Sequence, residues 1–171
     1  MLINCDWLPS LERIHNNESE DEYERRIYKI FIKDFIYSHP IFNGLPIYIR
    51  FEPYKNNRVQ AFYHVTTFGN DQDNRSIDNT RQERIRWIRA FIEHSDCKPI
   101  HCDECEGMKA WSMPYRGHIS RVKLLLTEEK YIVILEPRTS YILLITAYYV
   151  DYSHTMKKLI KEFEKAKSAS T

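Results

Sequence analysis

Residues 118–150, HISRVKLLLTEEKYIVILEPRTSYILLITAYYV, decide the fold. Three runs rich in β-branched and aromatic residues, about 118–126, 130–136 and 140–150, read as strands. The breaks between them, TEE and PRT, are short enough for antiparallel hairpins and leave no room for crossover helices. Toward the C-terminus, Ser153 stands where a helix cap is expected, and Met156, Leu159, Ile160 and Phe163 then line one helical face. Toward the N-terminus, residues 95–117 contain Pro99, Gly107, Pro114 and Gly117 and read as irregular loop. Arg81–His94 reads as a helix with Ile85, Ile88 and Ile92 inward, preceded by a polar loop over 69–80. Pro46–Phe51 and Val59–Thr67 read as short strands around a turn from Pro53 to Asn57. Ser19 and Glu22 have capping-box spacing, and Tyr23, Ile27, Ile30, Phe31 and Phe35 recur at helical spacing, so about 20–38 is expected to be a helix. The expectation is an α+β protein: an antiparallel four- to five-stranded sheet with an N-terminal helix, one central helix and a C-terminal helix. It is read as one domain over 1–171, with 1–45 an acidic N-terminal helical extension.

Of the 171 residues 43% are hydrophobic, which is enough for a core and argues against a disordered chain. No apolar run approaches the ~20 residues that span a bilayer, and the first residues lack the basic and apolar regions of a signal peptide. A soluble cytoplasmic protein without membrane partners is expected. Residues 1–24 carry seven acidic side chains against Arg13 alone, a net of −6, so the remainder carries about +7. A basic body behind an acidic leader is compatible with binding a polyanion, and equally with two solvated surfaces.

Four groups of residues bear on chemistry. In Phe62–Thr67, read as a strand, His64 and Thr66 share a face, and a histidine is suited to proton transfer near neutral pH. Arg81, Arg84, Arg86 and Arg89 crowd nine residues with Trp87; they are phosphate forks, or the solvated side of a helix. In 141–150, alternation sets Thr146 and Tyr148 on one strand face and Ala147 and Tyr149 on the other. His94, Cys97, Cys102 and Cys105 have the residue types of a tetrahedral zinc site, but the two pairs stand closer than in most zinc ribbons. A reduced loop with incidental thiols is the plainer reading, and no metal or other cofactor is expected.

In order, the aromatic-x-His-x-Thr segment at 62–66, R-x-x-R-I-x-W-I at 81–88, K-Y-I-V-I-L at 130–135 and Y-x-L-L-x-T-A-Y at 141–148 resemble one family. It is the phage- and prophage-encoded branch of the barnase–EndoU–colicin–RelE (BECR) superfamily of metal-independent ribonucleases and toxins. The resemblance runs from Pro46 to the final KKLIKEFEK and leaves out the N-terminal helix and the cysteines. It implies a toxin-like endoribonuclease with its site on the sheet face. Carried over by position, the catalytic residues would be His64, Arg84, Thr146 and Tyr148. Arg81 and Lys123 would help to bind RNA, and Arg86, Arg89 and Thr66 join them as substrate-binding candidates. His64 would take the proton of a ribose 2′-hydroxyl, which attacks the adjacent phosphate to leave a 2′,3′-cyclic phosphate. A toxin also implies an antitoxin or inhibitor protein as partner. The alternative is a non-catalytic RNA- or protein-binding domain, zinc-stabilised through the 94–105 loop.

Overall fold

The computed structural model describes residues 5–71, 73–99 and 105–170. The chain is α+β, with helices at both ends and a six-stranded, mixed, strongly curled half-barrel sheet between them. The three strands read from 118–150 are present as β6 (Ile119–Leu126), β7 (Tyr131–Pro137) and β8 (Ile142–Tyr149), joined antiparallel. They sit inside a larger sheet of order β1-β2-β8-β7-β6-β5. The expectation of a purely antiparallel sheet fails at one joint: β2 (Leu45–Tyr48), itself paired with β1 (Ile41–Phe42), lies parallel to β8. The long connection from β2 to β8 makes a parallel pairing possible without a tight hairpin.

β5 (Lys109–Arg116) falls in the stretch read as irregular loop. Pro114 argues against a central strand, but β5 is the outer strand, where a missing ladder donor is tolerated. A larger correction concerns Val59–Thr67, which is not a strand: residues Gln60–Thr66 form helix α2, followed by a short ladder of β3 (Thr67–Phe68) with β4 (Ser76–Ile77). Ala61, Phe62, Val65 and Thr66 are its buried side. Phe62 meets the rings of Tyr28 at 4.9 Å and Phe31 at 5.7 Å. Packing against those rings outweighs the β preference of an aromatic, β-branched segment.

The expected helix over Arg81–His94 is two helices, α3 (Asn79–Glu83) and α4 (Ile85–Glu93), broken at Arg84 (φ −98°, ψ 18°). At the chain ends, α1 (Glu20–Phe35) carries the full Ser19–Glu22 capping box. Helix α5 (Ser153–Ala169) begins at Ser153, with Tyr152 rather than Ser153 at the cap position and no side-chain cap bond.

Alternate residues of β7 feed two cores. Tyr131, Val133 and Leu135 face α1, α2 and α4; Ile132 and Ile134 face α5. Within the 1–45 stretch, α1 belongs to that first core, through Tyr23, Ile27, Ile30, Phe31 and Phe35. The acidic leader is held there as well: Glu12 pairs with Arg86 and, at 2.7 Å, with Arg26, and Glu18 meets Arg26 at 2.8 Å. No described helix is long and apolar enough to cross a membrane.

Candidate functional site

Helix α2 ends against β8, and its last-turn carbonyls lack partners within the helix. The carbonyl of His64 takes two: the Thr146 hydroxyl donates to it at 3.0 Å and the Arg81 guanidinium at 3.0 Å. Arg81 is aimed by Asp78, which caps α3 and accepts from Arg81 Nε at 3.1 Å. Its guanidinium carbon lies 5.3 Å from the centre of the Tyr148 ring. Arg81 and Thr146 thus meet at the backbone oxygen of His64, and Tyr148 packs on the Arg81 guanidinium. Thr146 and Tyr148 share a strand face as expected, paired with Ile134 and Ile132 of β7. Burial pushes the Tyr148 phenol above its ordinary pKa, so it stays a hydrogen-bond donor at neutral pH.

The imidazole points elsewhere, into a cavity of about 230 Å³ lined by Pro53, Tyr54, Lys55, Gln60, Tyr63, Asp73 and Arg75. His64 Nε2 lies 3.1 Å from the Gln60 amide nitrogen one helical turn back. With that nitrogen as donor, Nε2 accepts and the ring proton sits on Nδ1. Burial, then Arg75, Arg50 and Arg81, lowers the imidazole pKa below its usual 6.5, so the ring is neutral at pH 7. The fold therefore disfavours the imidazolium. The stability tied to the neutral ring is complete above about pH 6.5 and drains away as pH falls below it, because the unfolded chain then binds the extra proton.

Arg75 was not singled out by sequence. It lies in the polar 69–80 loop and donates to the Thr67 hydroxyl (2.7 Å), the Thr67 carbonyl (2.7 Å) and the Gly69 carbonyl (2.6 Å). These acceptors are neutral, and among the described residues no carboxylate pairs with Arg75, Lys55 or Arg50. A fixed guanidinium with unspent charge beside a neutral imidazole suits an anion. Lys55 and Tyr54 come to His64 only because the preceding loop folds against α2, and Gln60 reaches it because 60–66 is a helix rather than the expected strand.

The remaining predicted residues are held apart from this cavity. Arg84 is buried between Trp87 (5.0 Å) and Tyr149 (4.7 Å), on the opposite face of β8 from Tyr148, and donates to the Thr80 carbonyl at 2.9 Å. The register thus assigns Tyr148 to Arg81 and Tyr149 to Arg84. Arg86 pairs with Glu12. Arg89 pairs with Glu93 of its own helix at 2.7 Å and ties α4 to the end of α1 through the Asp34 carbonyl (2.9 Å) and Ser38 (2.6 Å). Thr66 is buried and donates to the Phe62 carbonyl at 2.7 Å; with α2 a helix, it does not share a face with His64. Lys123 pairs with Glu162 of α5 at 2.6 Å.

Arg84→Met keeps the stem that packs between the two rings and removes the charge. We expect it to lower the midpoint of a thermal melt, because the guanidinium's contacts with Trp87, Tyr149 and the Thr80 carbonyl are lost. A midpoint unchanged or raised would show that the charge contributes nothing to the packing of α4 on β8.

Of the sulfur loop, residues 101–104, which include His101 and Cys102, lie outside the described residues. His94 stacks on Trp7 with ring centres 4.6 Å apart. No group of three or more metal-ligating side chains is found among the described residues. A larger cavity, about 690 Å³ between β5 and α5, is lined by Trp111, Met113, Phe163 and neighbours and contains none of the predicted residues. Its size does not make it the site, because Glu162, its one carboxylate, is already paired with Lys123. No family, curated protein or solved structure matches the chain.

Proposed function

We propose that the chain is a metal-independent, toxin-like endoribonuclease, with the His64 cavity as its centre. The observation that carries this reading is a neutral imidazole beside the uncompensated cation of Arg75, joined through its own backbone to Arg81, Thr146 and Tyr148. His64 Nε2 exchanges its Gln60 contact for a ribose 2′-hydroxyl and takes its proton. The 2′-oxygen attacks the adjacent phosphorus, the bond to the 5′-oxygen breaks, and that oxygen is protonated from solvent. The products are a 2′,3′-cyclic phosphate and a 5′-hydroxyl.

Arg75 takes the part first expected of Arg84, holding the phosphate and stabilising its growing charge. Arg81, spent on Asp78 and the His64 carbonyl, positions that helix end, and Tyr148 packs on its guanidinium in a neighbouring depression outside the His64 cavity. Thr146 is a positioning residue, because its hydroxyl is spent on the His64 carbonyl. In this reading RNA is the substrate, an acidic inhibitor protein is the expected partner and the cytoplasm is the place of action. The test is incubation of the purified protein with total RNA in EDTA. Fragments ending in 2′,3′-cyclic phosphate support the proposal, and intact RNA overturns it.

A neutral base predicts the pH dependence. The acid limb of kcat/KM should lie below pH 6.5, since protonation of His64 in the free enzyme abolishes the base. Gln60→Glu places a carboxylate beside the ring, favours the imidazolium and should raise that limb by about one unit or more. A pH–rate profile unmoved by Gln60→Glu would show that the titrating group is not His64.

A further inference from the structure

Ending five positions before the start of α2, the chain reads YIRFEPYK over 48–55. The carbonyls of Arg50 and Phe51 accept from the backbone N–H groups of Ala61 and Gln60, at 3.0 and 2.9 Å. This pins the stretch by its backbone across the start of α2 and leaves its side chains outside. Tyr48, Phe51 and Tyr54 are 40%, 41% and 56% exposed, far more than a folded core accounts for. Arg50 stands between Tyr48 and Phe51, Glu52 between Phe51 and Tyr54, and Lys55 follows Tyr54. Ile49 alone turns inward, at 5%.

The stretch joins two depressions. At one end is the His64 cavity, lined by Tyr54 and Lys55. At the other is a depression of about 550 Å³, lined by Tyr48, Arg50, Arg138 and Tyr141, a size in the range of small-ligand sites. Arg50 lines the second, five positions before Lys55 of the first. Tyr48 is braced there: Tyr141 meets it edge-on with centres 5.6 Å apart, and His39 lies 4.6 Å away. Arg138 is neutralised by Glu136, while Arg50 has no carboxylate partner among the described residues. Among the described residues Arg50, Lys55 and Arg75 are the strip's cations without a carboxylate pair; Glu52 and Asp73 are the acids along the way, and Asp71 acts on Lys55 from the neighbouring loop.

We propose that this strip is a single-strand track: an unpaired nucleobase stacks on Tyr48, Arg50 takes the phosphate that follows, and the next phosphate enters the His64 cavity. Aromatic rings alternating with cations at the surface are what a flexible strand with splayed bases needs. A duplex keeps its bases stacked on each other and has none to offer Tyr48. The inference rests on the ribonuclease reading only for the identity of the strand as RNA. It makes the substrate unpaired RNA.

The test uses a 2′-O-methyl RNA oligonucleotide, which cannot be cut, as a labelled single strand and as a blunt duplex. Fluorescence anisotropy with the whole protein should show the single strand bound at least about ten-fold more tightly. Tyr48→Ala should weaken single-strand binding about 5- to 100-fold, and Tyr48→Phe should restore it. Arg50→Ala should lower the salt slope by about 0.7, the share of one single-strand phosphate. Tyr115→Ala, an exposed tyrosine on the far strand β5, should change nothing. Equal affinity for duplex and single strand, or full binding by a folded Tyr48→Ala, overturns the track. The same variants are assayed with unmodified RNA. Cleavage with Tyr48-independent binding leaves the nuclease reading standing and removes the track; Tyr48-dependent binding without cleavage does the reverse.

Discussion

His64→Ala is expected to cut the rate of RNA cleavage in EDTA by about 10²–10⁴-fold, the usual worth of a positioned general base. The substitution is unusually clean here. Thr146 and Arg81 hold the backbone carbonyl of residue 64, which alanine retains, and alanine is the best helix former at a position inside α2. The far-ultraviolet circular dichroism and the thermal midpoint should therefore stay close to those of the parent. Removing a ring whose burial disfavours its charged form should also flatten the stability loss on acidification below about pH 6.5. Binding of the uncleavable single strand should survive, because Arg50, Arg75 and Tyr48 are untouched. If the folded variant cleaves RNA as well as the parent, His64 is not the base and the proposed mechanism falls.

The second large effect is on stability. Phe62 is 1% exposed and is the side chain through which α2 is fastened to α1, by its contacts with Tyr28 and Phe31. Phe62→Ala removes a buried ring and leaves a cavity between two helices that are each held by other contacts. A cost of about 3–5 kcal/mol follows. At about 2–4 °C per kcal/mol for a chain of this size, the midpoint should fall by roughly 6–20 °C in a thermal melt. Cleavage at a temperature where the variant is still folded should fall too, because α2 carries both His64 and Gln60. A midpoint within about 2 °C of the parent would mean that α2 is not anchored through this ring.

The contrast between Arg81 and Arg84 shows where sequence reading stops. Three residues apart in one unbroken helix, they would share a face. The break at Arg84 sends Arg81 to the end of α2 and buries Arg84 under Trp87 and Tyr149. His64 shows the same limit from the other side. Its neighbours are aromatic and β-branched, so local preference favours a strand, and only the rings of Tyr28 and Phe31 decide for a helix. That change of period moves Thr66 into the core and brings Gln60, four positions back, onto the imidazole. Arg75 carried no signal at all, since a lone arginine in a polar loop has no pattern to stand out from.

From the chain alone one could read the antiparallel succession β6-β7-β8, the helices at both ends and the capping box of α1. Each depends on residues a few positions apart, where period, turn length and capping act locally. The parallel seam of β2 against β8, the edge strand through Pro114 and the arrival of Arg75, Lys55 and Tyr54 at His64 came from tertiary structure only. The Thr146 hydroxyl reaches a carbonyl 82 positions away. Which distant segment satisfies a helix-end oxygen depends on how two cores close around one sheet, and no spacing within the sequence records that.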